Sequence, residues 1–233
     1  MIIKLLKKIQ ATIIRTLLLL AFGSVFITIC LMLSLRWLDP PTSSYILRYE
    51  HAAKRTAKHE WVDFENIAWS MPLAAISAED QRFASHWGFD WRQIRKALEE
   101  NRSRNLPRGA STITQQTIKN LFLWPGRSYV RKGLEAWLTL WMELLVPKKR
   151  IMEIYLNIAQ FGKSVFGVQA ASKHYFGTRA KWLSPTQSRL LAASLPTPSS
   201  SNPAKPSDYL KARDASLKIQ MQKLGGKRVI DNL

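Results

Sequence analysis

Hydrophobic positions along this chain follow two regimes. From Thr16 to Leu35 the run TLLLLAFGSVFITICLMLSL carries no charge, and a helix of that length reaches about 30 Å, the thickness of bilayer hydrocarbon. Lys4, Lys7, Lys8 and Arg15 precede it, and the positive-inside bias sets such an N-terminus in the cytoplasm. The run is longer than the apolar core of a secretory signal, and no small-x-small site leads into a polar start. An uncleaved anchor is therefore expected, with a cytoplasmic tail over 1–15, a span over 16–35 and everything after Arg36 outside the cytoplasm.

Past the anchor the pattern becomes helical. Asp39-Pro40-Pro41-Thr42-Ser43-Ser44 reads as a stiff polar exit opening a membrane-proximal linker over 36–60. His51 to Glu65 reads as helix and loop. Helix signals accumulate from Ser70. Asp90 is an N-cap with Gln93 as capping-box partner, predicting a helix to about Arg104. Ser111 or Thr112 caps another over about Ile113–Leu121. After the break at Trp124-Pro125-Gly126, Ser128 caps a third, in which Val130, Leu134, Trp137, Leu138, Trp141 and Leu145 recur at helical spacing up to Pro147. Core burial is the expected role of its tryptophans. Further helices are predicted over Arg150–Ile158, over Pro185–Leu195 behind the capping box Ser184-Pro185-Thr186-Gln187, and over Ser207–Leu224. No alternating strand set and no internal repeat is visible, so the fold class is mainly α.

Composition narrows the partners. The chain has 233 residues, 46% of them hydrophobic, enough for one real core and a smaller lobe. A net charge of +19 favours nucleic acid, anionic lipid headgroups or a phosphorylated substrate over mere solubility. Placing the domain outside the cytoplasm removes nucleic acid from that group. The single cysteine, Cys30, sits in the apolar run and acts as a small hydrophobe.

The densest polar chemistry lies in EDQRFASHWGFD, residues 79–90, and GASTITQQTIKN, residues 109–120. Glu79 follows an apolar segment that desolvates it, which raises a carboxylate pKa toward the range useful for proton transfer; the alternative is a helix-terminal acid facing a basic surface. His86 is either a base or, preferred, a hydrogen-bonding scaffold for the turn at Gly88. Ser111, Thr112, Gln115 and Gln116 offer neutral donors and acceptors suited to sugars. Lys119 and Arg127 can clamp phosphate oxygens or stay solvated. Glu135, four residues after Arg131, can form an ordinary i,i+4 ion pair. No cluster has metal-ligand spacing, no glycine-rich phosphate loop occurs, and no serine sits in a nucleophile elbow.

With RKGLE at 131–135 and KKRIMEIYLN at 148–157, these blocks resemble, in order, the motifs of bacterial peptidoglycan glycosyltransferases. The similarity covers about Trp61 to Gly226, with 227–233 as a C-terminal tail. The chain ends before any transpeptidase domain, so it resembles the monofunctional biosynthetic enzymes rather than bifunctional penicillin-binding proteins. The resemblance implies a lysozyme-like, two-lobed helical domain holding a growing lipid-linked glycan strand and lipid II in a cleft at the bilayer. Glu79 matches the general base acting on the acceptor 4-hydroxyl. The transfer inverts C1 of the donor to a β-1,4 linkage and expels undecaprenyl pyrophosphate. Lys119 and Arg127 match pyrophosphate-binding residues, and Glu135 matches a second glutamate that assists the leaving group, directly or through a divalent cation, Mg2+ or Mn2+. Asp80, Phe83, His86, Ser111, Thr112, Gln115, Gln116, Asn120, Arg131 and Lys132 match positions that shape or line the cleft. The metal ligands are not specified by the motifs. Cell-division or elongation proteins are the partners such an enzyme would meet.

The sequence departs from the family pattern at Ala110 and Ser164, where glycine is usual, and at Gln169 and Gln187, where glutamate is common. A muramidase and an inactive membrane-tethered binding module are the competing readings. The first has no use for a pyrophosphate clamp, and the second gives no reason for the carboxylate placement.

Overall fold

The computed structural model describes residues 2–102, 109–126 and 128–233. Helix α1 spans Ile2–Leu35, and its segment Leu6–Leu35 is long and apolar enough to cross a membrane. The helix thus continues through the basic segment expected as a separate tail. No glycine or proline interrupts residues 2–15, and lysine, leucine and isoleucine sustain a helix there. Its C-terminal end is docked onto the domain. Arg150 donates to the Leu35 and Leu38 carbonyls at 2.9 and 2.8 Å and to Asp39 at 2.8 Å, supplying partners for orphan carbonyls at a helix end that favours cations.

The linker is more structured than its prolines suggested. Helix α2, Ser44–Ala53, is capped by Ser43, whose hydroxyl accepts from the Ile46 N–H at 3.2 Å, and is stopped by Lys54 in the left-handed region. Ser44 hydroxyl hydrogen-bonds the Leu123 carbonyl, and Ile46 is buried with Phe166. Strand β1, Lys58–His59, then pairs parallel with β3, Val165–Phe166, which pairs antiparallel with β2, Gln160–Gly162. Strands of two or three residues are too short to show an alternating pattern, which is why the sequence carries no sign of this small sheet. Gly167, beside it, has φ +80°, and a Cβ there would lie 2.5 Å from the Asn157 carbonyl oxygen.

The core is helical. In α3, Ser70–Glu79, every residue from Ser70 to Ser77 is buried, as befits a helix apolar on all sides. It packs against α9, Pro185–Ser194, and α10, Asp208–Lys223, with the short α11, Arg228–Asp231, nearby. Helix α5, Ile113–Phe122, packs on α6, Tyr129–Leu145, and α7, Lys148–Ile158. Helices α4, Trp91–Asn101, and α8, Val168–Phe176, complete the domain. The expected α4 terminus near Arg104 falls outside the described residues.

Helix α6 also corrects one expectation. Trp141 is partly buried against the core, but Trp137 remains 38% exposed and donates its indole N–H to Thr28 of α1 at 3.3 Å. Val130, Leu134, Leu140 and Leu144 are likewise exposed. The apolar stripe of α6 thus runs beside α1, and part of it faces outward.

Candidate active site

Helix α3 ends at Glu79 and Asp80, and the two neighbouring carboxylates meet different surroundings. Asp80 is buried; its Oδ2 accepts the Ile113 N–H at 3.0 Å, and His86 Nε2 lies 2.9 and 3.0 Å from its two oxygens. The carboxylate therefore ties the end of α3 to the N-terminus of α5, where free N–H groups favour negative charge. His86 is a scaffold residue, as preferred from the sequence. Its Nδ1 finds no partner among the described residues. Phe83 is fully buried, meets the His86 ring edge-on, and carries Lys148 Nζ 4.4 Å above its centroid.

The hydroxyl block divides in the same way. Thr112 and Gln115 form a capping box, with Gln115 Oε1 accepting the Thr112 N–H at 3.0 Å, and both are buried. Thr112 hydroxyl also donates to the Gly88 carbonyl at 2.7 Å. Gly88 has φ +76°, and a Cβ there would lie 2.6 Å from Thr139 Cγ2. Gln115 and Gly88 shape the wall, whereas Thr112 also lines the hollow on which Glu79 opens. Ser111 is exposed, with Lys132 Nζ 3.5 Å from its hydroxyl.

Glu79 opens on a hollow of about 280 Å³ that Ser111, Asp90 and Lys96 also line. Its Oε2 accepts from Gln116 Nε2 at 2.9 Å. Burial pushes its pKa up, against the opposing effects of the Gln116 bond and the charges of Arg213 and Lys119, with Asp80 adding to the rise. Gln116, Lys119 and Asn120 line a second hollow of about 170 Å³ with Tyr45 and Tyr155. Glu79 and its amide partner thus stand on the partition between two hollows.

On the far side, Glu135 is 2% exposed. Its Oε2 accepts from Arg131 at 2.5 Å and its Oε1 from Lys132, so the expected i,i+4 pair is present and extended to two cations. Arg131 also donates to the Gly126 carbonyl at 3.0 Å. Lys119 makes no salt bridge among the described residues. Burial lowers its pKa, Glu135 and Glu79 oppose that, and Arg131 and Lys132 reinforce it; its Nζ lies 5.7 Å from the Tyr45 ring centroid. Arg127 lies outside the described residues.

Among the described residues no group of three His, Cys, Asp or Glu could cage a metal. Beside Lys119 the carboxylate at hand is Glu135, with both oxygens engaged by Arg131 and Lys132. A buried carboxylate already paired on both oxygens with two cations is a poor ligand for a divalent ion, so these residues as arranged do not fit one.

Sequence reasoning missed Tyr45, Tyr155, Arg213 and the buried group Thr114–Glu143–Lys148, in which Glu143 Oε1 accepts from the threonine at 2.5 Å and from the lysine at 2.8 Å. Tyr155 did carry a signal. It is a tyrosine on the apolar side of a predicted helix, and a buried phenol must find a hydrogen-bond partner.

A transglycosylase family model matches residues 47–222. The chain is 44% identical to a biosynthetic peptidoglycan transglycosylase of Stutzerimonas stutzeri, over 90% of this chain and 88% of the relative. Relatives of the same description in Shewanella oneidensis and Pasteurella multocida are 45% and 48% identical, over 88% and 82% of this chain and 90% and 80% of theirs. The ordered motifs, the helical fold and these similarities agree: the chain belongs to the transglycosylase family, the peptidoglycan glycosyltransferases.

Proposed function

We propose that the chain polymerises lipid II into glycan strands, with Glu79 as the general base. The observation that carries this reading is the setting of Glu79: a largely desolvated carboxylate with raised pKa, held by one neutral amide donor and facing an open hollow. Such a group accepts a proton far better than an exposed, charge-paired one. The acceptor 4-hydroxyl gives its proton to Glu79 while its oxygen bonds to C1 of the donor sugar. The bond from C1 to the pyrophosphate oxygen breaks on the opposite face, giving a β-1,4 linkage with inversion and undecaprenyl pyrophosphate.

Lys119 faces the leaving group and makes no salt bridge among the described residues, so its charge is available to the developing pyrophosphate. Arg127 joins it by family resemblance. Arg131 and Lys132 complete the positive wall, and Glu135 holds them in place. In the cell, α1 anchors the protein as a single span with its N-terminus cytoplasmic, so the domain meets lipid II on the outer face of the inner membrane. The outward apolar stripe of α6, beside α1, supports this placement.

The test is polymerisation of purified lipid II by the full-length protein, wild type against Glu79→Gln. Polymer from the wild type and none from the variant is the expected result. A variant that polymerises at the wild-type rate overturns the assignment of the base, and shortened sacculus glycans with no polymer favour a lytic enzyme.

A further inference from the structure

We propose that Tyr155 is a positioning residue for this transfer: its hydroxyl fixes which end of the Gln116 side-chain amide faces Glu79. The proposal rests on the reading of Glu79 as the base. Tyr155, on α7, is 1% exposed, and its hydroxyl donates to Gln116 Oε1 at 3.4 Å. Gln116 Nε2 in turn donates to Glu79 Oε2 at 2.9 Å. The three residues come from three helices, α7, α5 and α3, and the pair that sets the Tyr155–Gln116 separation, α5 with α7, packs closely in the core.

A glutamine amide has two ends of nearly equal size, so shape alone does not choose between its orientations. Hydrogen bonding does. In the observed orientation the phenolic O–H has an acceptor, and an N–H points at the carboxylate. In the flipped one the amide oxygen opposes the carboxylate, and the phenolic hydrogen loses the single acceptor found for it among the described residues. Leaving a buried donor unpaired is unfavourable, so the tyrosine makes the flip costly from the far side of the amide. It acts reliably as a donor, because burial and the nearby charges of Glu79 and Asp80 hold its pKa well above the ordinary phenol value.

The consequence lies in the protonation of Glu79. The Gln116 N–H stabilises the ionised carboxylate against its burial, and Arg213 from α10 and Lys119 from α5 act in the same direction, while Asp80 opposes. Without the tyrosine hydroxyl, Gln116 is free to present its oxygen, which favours the protonated acid. The fraction of Glu79 able to act as a base on the acidic side of the profile then falls.

The experiment measures lipid II polymerisation by the full-length protein against pH for wild type, Tyr155→Phe, Gln116→Ala, the double variant and Glu79→Gln. Tyr155→Phe is expected to lower kcat about three- to tenfold on the acidic limb, with KM little changed. The acidic limb of kcat/KM should move to higher pH and the difference should narrow on the alkaline side. Gln116→Ala leaves the tyrosine in its packing and should move the same limb in the same direction. In that background Tyr155→Phe should add nothing, the signature of two residues acting through one contact. A limb that stays put in Tyr155→Phe, or a full effect in the Gln116→Ala background, overturns the proposal. An active Glu79→Gln instead removes the base assignment beneath it, so the two failures are distinguishable.

Discussion

Glu79 and Glu135 are both withdrawn from solvent, yet their settings are opposed. Glu79 meets one neutral amide, with Lys119 and Arg213 acting from a distance, and burial is the largest influence on it. Glu135 is closed in on both oxygens by Arg131 and Lys132. A proton acceptor has to be left short of compensating charge, since every bound cation weakens it as a base. A carboxylate that organises cations needs the reverse. On the proposed reading the cleft separates proton transfer from charge neutralisation, with Lys119, which makes no salt bridge among the described residues, acted on by both carboxylates.

The sharpest way to break this contrast is to remove each carboxyl charge in turn. Glu79→Gln is expected to lower turnover by roughly 10²–10⁴-fold, measured by lipid II polymerisation. It should not lower stability. A carboxyl whose folded pKa is raised contributes stability below its unfolded pKa and loses it as pH rises through the folded value. At neutral pH the ionised Glu79 is a liability to the fold, so the glutamine variant should melt at the same temperature or higher. Next in size, Lys119→Met should cost roughly 10²–10³-fold in kcat, the usual consequence of losing one preorganised charge at a leaving group. Glu135→Gln should show the converse profile to Glu79→Gln. It leaves Arg131, a largely buried cation, without its partner, and loss of one member of a buried pair costs about 3–5 kcal/mol, with the lower end favoured because Lys132 is 45% exposed at its side chain. Thermal unfolding of the two glutamine variants side by side tests this: if Glu135→Gln is the more stable of the two, the contrast drawn here is wrong.

How much of this was legible beforehand follows from range. The caps at Asp90, Thr112, Ser128 and Ser184 act within three residues, and each opened its helix where the sequence predicted. The Arg131–Glu135 pair was readable for the same reason. Partners distant in the chain were not: Asp80 to the Ile113 N–H, 33 residues on, and Tyr155 to Gln116, 39 residues away. Motif resemblance brought Glu79, Gln116 and Lys119 to one site. It did not separate residues that face the cleft from Gln115, Phe83 and His86, which are consumed in holding its wall. Trp137 was misread because helical spacing reports an apolar stripe without saying what covers it. Here part of the cover is α1, and part is left open.

The pH profile of the wild type carries a smaller effect. The raised pKa of Glu79 sets the acidic limb above the ordinary carboxylate range, and the lowered pKa of Lys119 sets the basic limb below the ordinary lysine range. Activity is therefore lost on the acid side as Glu79 takes up a proton and on the alkaline side as Lys119 gives one up, so the bell is narrowed from both directions. Lys119→Arg sharpens the point, because guanidinium stays charged throughout this range. The basic limb should move out while the acidic limb stays. A basic limb unchanged in Lys119→Arg would assign that limb to another group.

The smallest expected effect concerns what keeps Lys119 available. No carboxylate pairs with it among the described residues, and its Nζ instead lies 5.7 Å from the centroid of Tyr45. An aromatic face attracts an ammonium without neutralising it, at about 0.5–1 kcal/mol for a partly exposed contact. That is enough to bias where the side chain rests and too little to compete with a pyrophosphate. Tyr45→Leu should thus weaken the productive position of Lys119 by about two- to fivefold in kcat/KM, while Tyr45→Phe, which keeps the ring, should stay near wild type. Tyr45→Asp inverts the logic. A carboxylate placed there would capture Lys119 much as Glu135 captures Arg131 and Lys132, and turnover should fall further than in Tyr45→Leu. Equal activity of the leucine and aspartate variants would mean that the unpaired state of Lys119 is not what the leaving-group side of the cleft depends on.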